Sequence, residues 1–331
     1  MRILLLGYPD YLSNLLANLN NTPFITENDI DIIFANSSNS NKLSNLKSLK
    51  KIKKNSLGKL VSKILMNFFS NSYSKIKNKL FQEVDLSFIN YLTNVKIIKY
   101  EGLDNILGLE DYDFMIVATF GQKIPKEIFN KPKRRTLNIH PSYLPELRGG
   151  YPTYVEAYKS TIKSATTIHF MEEKWDNGDI VIQKKYKVDY KLNNNDRFLL
   201  SSSCAASLLN ELHEIDYKFT PKKQIGEITY CHKIIRPKTN LLRITKNENI
   251  EGFIRANYAK HIFPFTYVFY KFNLLSIIEV SPISDISIIS KKHINSNVIK
   301  VFKLNRVFIL NFYGKFYKLN RYIYKRKLYA D

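Results

Sequence analysis

A doubly wound, mostly parallel α/β sheet followed by a smaller β-rich C-terminal domain is the predicted fold class, on three observations. The chain opens with a strand, Arg2 to Leu6, and a turn at Gly7-Tyr-Pro-Asp10. A helix follows over Tyr11 to Leu19, with Leu12, Leu15, Leu16 and Leu19 at helical spacing. A second apolar run, Ile30 to Phe34, returns the chain to a strand, the start of a parallel sheet. Beyond about residue 235 the pattern changes to short strand-like runs at Phe265 to Tyr270, Leu274 to Val280, Val298 to Leu304, Arg306 to Asn311 and Phe316 to Tyr324. Such runs predict a small OB-like β-barrel.

The remaining elements follow in order. Val95 to Lys99 and Phe114 to Ala118 read as strands, the second running into a turn, Thr119-Phe-Gly-Gln-Lys-Ile-Pro125. Strands are expected at Arg135 to Ile139, Ala165 to Phe170 and Val181 to Val188, with helices at Tyr151 to Tyr158 and Asp196 to Leu212. A connector around Tyr217 to Thr229, carrying Pro221, Lys222 and Lys223, marks a boundary. The expected domains are therefore 1–215, a 216–234 linker and 235–331. No GxGxxG phosphate loop occurs, so no dinucleotide site is expected.

A chain of 331 residues with 44% hydrophobic and 13% aromatic residues is globular and long enough for a large core plus a second unit. No apolar run reaches the ~18 residues of a membrane-crossing helix. The apolar start runs into Tyr8-Pro9-Asp10 without a cleavage-site pattern, so it reads as a strand rather than a signal peptide. Cys204 and Cys231 stand in no metal-ligand spacing. A cytoplasmic protein with no metal and no stable membrane insertion is expected.

The net charge of +22 accompanies an abundance of Lys, Asn, Ile and Tyr, which nucleotide bias also produces. Its distribution is more specific. Residues 36–82 read as a lysine-rich insertion without one Asp or Glu, and Leu57 to Leu80 reads in part as a basic amphipathic helix. Such a block either meets phosphate or is a solvated face.

The chemistry-bearing stretch is Thr136-Leu-Asn-Ile-His-Pro-Ser-Tyr-Leu-Pro-Glu-Leu-Arg-Gly-Gly150. Asn138 and His140, two residues apart on a strand, face one side. Taken alone, the pair favours the plainer reading, Asn138 as a turn cap and His140 as a satisfied loop histidine. Asp176, on a glycine-containing loop between two later strands, supplies the carboxylate that brings three groups together.

Asn138-Ile-His140-Pro-Ser-x-Leu-Pro-x-x-Arg148-Gly, then His169, then Asp176-x-Gly-Asp-Ile resembles the catalytic core of the 10-formyltetrahydrofolate-dependent formyltransferases. That family includes methionyl-tRNA formyltransferase, glycinamide ribonucleotide transformylase and the sugar N-formyltransferases. The match covers the first two thirds of the chain and the last third loosely, with Ile250 to Ala256 similar to the family's entry to its C-terminal domain. The resemblance implies a Rossmann-like formyltransferase domain, a one-carbon (formyl) transferase activity, and 10-formyltetrahydrofolate as co-substrate. Its catalytic residues are Asn138, donating to an oxyanion, His140, donating there or shuttling a proton, and Asp176, orienting His140 and accepting the proton. It implies a folate wall of Phe120, Gly121, Gln122 and Ile124, although Gly121 and Pro125 also serve a turn. Trp175 and Asn177 are expected to shape the pterin loop, with Gly178 permitting a conformation other residues resist. His169 is either a contact to Asp176 or a structural strand histidine, and Ser142 a loop-fixing hydroxyl. Arg148 either reaches an acceptor phosphate or anchors its loop.

Methionyl-tRNA formyltransferases carry a Pro-Asp-x-Pro with a Gly/Arg/Lys-rich segment after the second strand and Ala-Ala-Pro after the Arg-Gly. Here an Asn/Ser/Lys-rich segment and Gly150-Tyr-Pro-Thr153 stand instead. A nucleotide-linked aminosugar is therefore the expected acceptor, with Arg148, Tyr151 and Tyr154 as substrate-binding residues and the tyrosines stacking on a base or sugar face. The alternatives are a methionyl-tRNA acceptor, to which the basic segments would bind, and a non-catalytic folate- or nucleotide-binding relative.

Overall fold

The computed structural model describes residues 1–35, 84–231, 245, 249–259, 266–270, 273–287, 289, 299–304, 307–324 and 327–330. The expected basic helix over Leu57 to Leu80 lies outside them.

Seven strands form the first sheet. β1 (Arg2–Gly7), β2 (Asp29–Phe34), β3 (Val95–Ile98), β4 (Phe114–Ala118) and β5 (Thr136–His140) are parallel, and β6 (Lys163–Phe170) and β7 (Ile180–Lys187) add an antiparallel edge. The order is β3-β2-β1-β4-β5-β6-β7. Ile3 to Leu6 are all fully buried, as a central strand covered on both faces requires. Arg135, expected inside the fifth strand, instead precedes it at φ 92°.

Helices α1 (Pro9–Leu19), α2 (Pro23–Thr26), α3 (Lys126–Phe129), α4 (Pro152–Lys159) and α5 (Asn194–Glu214) belong to this part of the chain. Pro9 opens α1, where its missing N–H costs nothing. Tyr11, Leu12, Leu15, Leu16 and Leu19 form its buried stripe. α5 is capped by the Asn193 side chain, which accepts from the Asp196 N–H at 3.0 Å. It packs on α1 partly through polar contacts, among them Tyr11 to Ser201 at 3.0 Å.

The strand order reverses between β1 and β4, and in a doubly wound sheet the crevice beyond the strand C-termini at that point takes the ligand. Gly7, at the end of β1, touches β4 so closely that a Cβ would lie 2.3 Å from the Ala118 carbonyl oxygen. The chemistry-bearing strand, β5, lies next to β4 and ends at the same level.

A second, antiparallel sheet contains β8 (Thr266–Tyr270), β9 (Asn273–Pro282), β10 (Ile299–Leu304), β11 (Val307–Phe312), β12 (Lys315–Tyr324) and β13 (Lys327–Ala330), in the order β10-β11-β12-β9-β8 with β13 also on β12. β12 changes partners along its length, and its register against β9 shifts around Leu319 to Tyr322, which curls the sheet. The β-rich unit expected from the sequence is thus a curled half-barrel, with β13 an additional strand.

Helix α6 (Ile250–Asn257) links the two layers. Ile250, Phe253 and Ile254 enter the core of the second sheet. Ala256 packs against Tyr154 and Ala157 of α4. The crossing is close enough that a Cβ on Gly252 would lie 2.2 Å from the Tyr158 carbonyl oxygen.

Arg197 of α5 is fully buried. Its guanidinium donates to the carbonyls of Leu192, Thr161 and Asp189 and to Thr161 Oγ1, with Glu156 of α4 at 3.7 Å. Removing one partner of a buried ion pair typically costs about 3–5 kcal/mol. Arg197→Met is expected to lose that much in urea unfolding, and adding Glu156→Gln to recover part of it; an unchanged unfolding midpoint would show that the cluster carries no stability.

Candidate active site

β5 alternates as a half-buried functional strand should. Leu137 and Ile139 enter the core on the α1 side, while Asn138 and His140 point to the opposite face at the strand's C-terminal end. His169 sits directly across from Asn138 on β6. The loop after β6 then folds back and inserts Asp176, only 7% exposed, beneath all three.

The contacts are short. Asn138 Nδ2 donates to His169 Nε2 at 3.1 Å and to Asp176 Oδ1 at 3.3 Å. Asp176 Oδ1 lies 3.6 Å from both His140 Nδ1 and His169 Nε2, and Asp176 Oδ2 accepts the Gly149 N–H at 2.7 Å. Three loops and strands distant in sequence therefore meet on one carboxylate.

Hydrogen-bond partners fix the tautomers. His140 Nε2 lies 2.9 Å from the Leu147 carbonyl, an acceptor only, so Nε2 carries a proton and Nδ1 faces Asp176. His169 Nδ1 donates to the Phe170 carbonyl at 2.8 Å, so Nε2 accepts from Asn138. Burial pulls the His140 pKa down, and with smaller help from His169 and Arg148 it outweighs the Asp176 charge and the Leu147 bond, which oppose it. Burial pushes Asp176 the other way, yet His140, His169 and the Gly149 N–H together hold its carboxyl well below the usual carboxylate range. At neutral pH the site holds an ionised Asp176 beside a neutral His140.

Backbone conformation is specific at two points. Asp176 adopts a left-handed φ of 52°, and Gly149, whose N–H reaches it, has φ 109°. Gly178, expected to supply conformational freedom, instead makes a close approach: a Cβ there would lie 1.9 Å from the Phe170 carbonyl oxygen. Ser142 Oγ donates to the Glu146 carbonyl at 2.7 Å, the loop-fixing contact expected of it.

A family model described as Formyl transferase matches residues 32–197, half of the 331-residue chain. This chain belongs to the formyl transferase family. Methionyl-tRNA formyltransferase of Bacillus cytotoxicus is 33% identical over 177 residues, 53% of this chain and 56% of that protein. The Bacillus cereus B4264 enzyme of the same name is 32% identical over the same lengths, so the match spans about half of these curated relatives. Among solved structures, the sugar 3N-formyl transferase WlaRD, crystallised with dTDP and 5-N-formyl-THF, superposes at a TM-score of 0.57 with 17% identity over 99% of both chains. The N-formyltransferase from Helicobacter canadensis, in complex with folinic acid and dTDP-3-aminofucose, gives 0.55 with 14% identity over 96% and 98%. Methionyl-tRNA formyltransferase from Clostridium thermocellum gives 0.51 with 16% identity over 94% and 97%. At these identities the likeness is one of fold.

The other residues singled out in this chain take different places. Phe120 and Ile124 are 8% and 5% exposed and pack in the core on the far sheet face, while Gly121 and Gln122 are exposed. Gln122 lines a groove of about 300 Å³ with Tyr100, Gly102, Lys123 and Pro125. Trp175 is half exposed. The Arg148 guanidinium is buried, donating to Gln224 Oε1 through Nε and Nη2 at 3.1 and 2.6 Å and to Asn177 Oδ1 through Nη1 at 2.7 Å. Its geometry is that of a loop anchor. Tyr151 is half-buried, and Tyr154 packs between α4 and α6.

Sequence reasoning passed over Gln224, which sat in a stretch read as connector. In the structure its side chain touches the Arg148 and Asp176 loops together. A glutamine among lysines carries no sequence signal of that kind.

Two measurements test the geometry. The His140 ring, followed by NMR, is expected to titrate below its ordinary value of about 6.5, and lower still in Asp176→Asn because the opposing charge is gone; a value at or above 6.5 in the wild type would contradict the burial. Overpacking typically costs about 1–3 kcal/mol, so Gly178→Ala should lower thermal stability by an amount in that range, and a wild-type melting curve would mean that the Phe170 contact is not formed.

Proposed function

We propose that this formyl transferase moves the formyl group of 10-formyltetrahydrofolate to a primary amine, and that the acceptor is the amino group of a nucleotide-linked aminosugar. The observation that carries the reading is the meeting of Asn138, His140 and Asp176 at the C-terminal end of β5.

The reaction is a direct attack of a neutral amine on the formyl carbon through a tetrahedral intermediate. Asn138 Nδ2 serves the developing oxyanion by exchanging the longer of its two bonds, the 3.3 Å contact to Asp176. Loss of one such donor typically costs ~100- to 1000-fold in turnover. Because His140 Nε2 is committed to Leu147, Nδ1 is the atom that moves a proton. The Leu147 bond holds the ring, Nδ1 accepts the proton that the attacking nitrogen sheds and returns it to the departing N10 of the folate, and Asp176, ionised and 3.6 Å away, steadies the imidazolium in between. Ser142 is not needed as a nucleophile, since its hydroxyl is held by the Glu146 carbonyl.

The exposed edge of Gly121 and Gln122 offers main-chain groups to the pterin, in keeping with an expected wall built from this loop. Phe120 and Ile124 support that edge from below through the core. For the acceptor, support comes from the two departures from the tRNA-enzyme signatures, after β2 and at Gly150-Tyr-Pro-Thr153. The sugar N-formyltransferases WlaRD and that of Helicobacter canadensis, each matched over nearly the whole chain, were crystallised with dTDP or a dTDP-aminosugar. The tRNA acceptor is the second reading, favoured by the 33% identity to the Bacillus cytotoxicus enzyme.

The deciding experiment follows tetrahydrofolate release from 10-formyltetrahydrofolate with a panel of nucleotide-linked aminosugars and, separately, methionyl initiator tRNA. Turnover on an aminosugar is expected, and Asp176→Asn should abolish it while leaving folate binding in place. Turnover on tRNA alone would transfer the acceptor to the second reading. No transfer to any amine, or full turnover in Asp176→Asn, would overturn the mechanism.

A further inference from the structure

Two loops border the catalytic groups, 141–150 leaving β5 and 171–179 carrying Asp176, and the segment 222–231 crosses both. At one end Lys222 and Ile180 exchange N–H to carbonyl bonds of 2.8 Å in each direction. At the other, the Arg148 N–H donates to the Thr229 carbonyl at 2.9 Å, the Cys231 N–H donates to the Arg148 carbonyl at 2.8 Å, and the Leu147 N–H donates to Thr229 Oγ1 at 2.8 Å. Between these anchors Gln224 turns its side chain inward. Its Nε2 donates to the carbonyls of Asp176 at 2.9 Å and Gly178 at 2.7 Å, and its Oε1 accepts from Arg148 Nη2 and Nε.

The amide orientation is unambiguous. Turned over, it would set oxygen against two carbonyls and an N–H₂ against a guanidinium that has no acceptor. All four contacts thus require an amide with both a donor and an acceptor end. The two carbonyls it grips belong to the turn in which Asp176 holds its left-handed φ of 52°, a conformation that persists only where the surroundings hold it.

We propose that Gln224 is a positioning residue for this site: it clamps the turn carrying Asp176 against the Arg148–Gly149 loop, so that the carboxylate meets Asn138, His140 and the Gly149 N–H at once. Through Arg148, which also binds Asn177, the same clamp closes a ring from the connector through both loops. Gln224 itself makes none of its contacts with Asn138, His140 or the Asp176 carboxylate, so its effect on rate passes through the turn. The rate effect rests on the formyl-transfer reading; the placement of Asp176 does not.

Two variants of the full chain separate the clamp from a merely structural role. Gln224→Ala removes all four bonds. Gln224→Glu keeps the size and the partner of Arg148 but puts a carboxylate oxygen against the two carbonyls. A displacement near 1 Å at a reacting group can cost about a hundredfold, so both variants are expected to lose about that factor in kcat while KM for the formyl-folate stays near wild type. In Gln224→Ala, which adds no charge, the His140 ring, followed by NMR, is expected to titrate at lower pH than in the wild type, because the Asp176 charge has moved away. The groups facing that ring are Asp176, His169, Arg148 and the Leu147 carbonyl, and of these Asp176 is the one whose release by Gln224→Ala lowers it; the carboxylate added in Gln224→Glu would raise it, so that variant is read by kcat.

Wild-type kcat in Gln224→Glu, or an unshifted His140 titration in Gln224→Ala, would overturn the proposal and leave Gln224 a partner of Arg148 alone. Should Gln224→Ala not fold, Gln224→Glu decides by itself. If the wild type transfers no formyl group to any amine, the proposed function fails, and the NMR titration still decides whether Gln224 places Asp176.

Discussion

The structure depends on one buried carboxylate. Asp176 is 7% exposed and meets the Asn138 amide, two imidazoles and the Gly149 N–H, from β5, β6 and the Arg148–Gly149 loop. Burying a charge without partners is among the costliest things a fold can do. Here the partners outweigh the penalty and hold the group ionised, so the loops that supply them are fixed relative to one another. The same condition that keeps the loops in place keeps the Asp176 carboxyl ionised.

The two histidines divide the electrostatics between them. Each spends one ring nitrogen on a backbone carbonyl, Leu147 for His140 and Phe170 for His169, and this sets which nitrogen faces the carboxylate. His169 thereby accepts from Asn138 and orients its amide, while His140 presents an unprotonated Nδ1. Two residues of one type, less than two strands apart, acquire different tasks because different carbonyls lie behind them.

Packing supports this arrangement from a distance. β5 lies in a sheet whose central strands are buried on both faces, and α4, which follows the Arg148–Gly149 loop directly, is pinned by Arg197 below and by α6 alongside. α6 in turn buries Ile250, Phe253 and Ile254 in the curled sheet. The C-terminal unit is thus joined to the helix that leaves the Arg148–Gly149 loop, through contacts too close to admit a side chain at Gly252.

By itself the sequence determined the α/β class, nearly every strand of both sheets, and the trio Asn138, His140 and Asp176 as candidates. Those features are local: apolar periodicity sets strands and helices, and residues two apart on a strand share a face. Tertiary structure alone decided that His169 lies opposite Asn138, that Arg148 turns inward, that Gly178 matters for contact rather than for its backbone angles, and that Gln224 grips the Asp176 turn. It also placed Phe120 and Tyr154 in packed interiors, rather than against the folate and the acceptor as expected from the sequence. The physical reason is that hydrogen bonds and close contacts between segments some 30 to 80 residues apart depend on how the sheet brings those segments together, and no spacing along the chain encodes that.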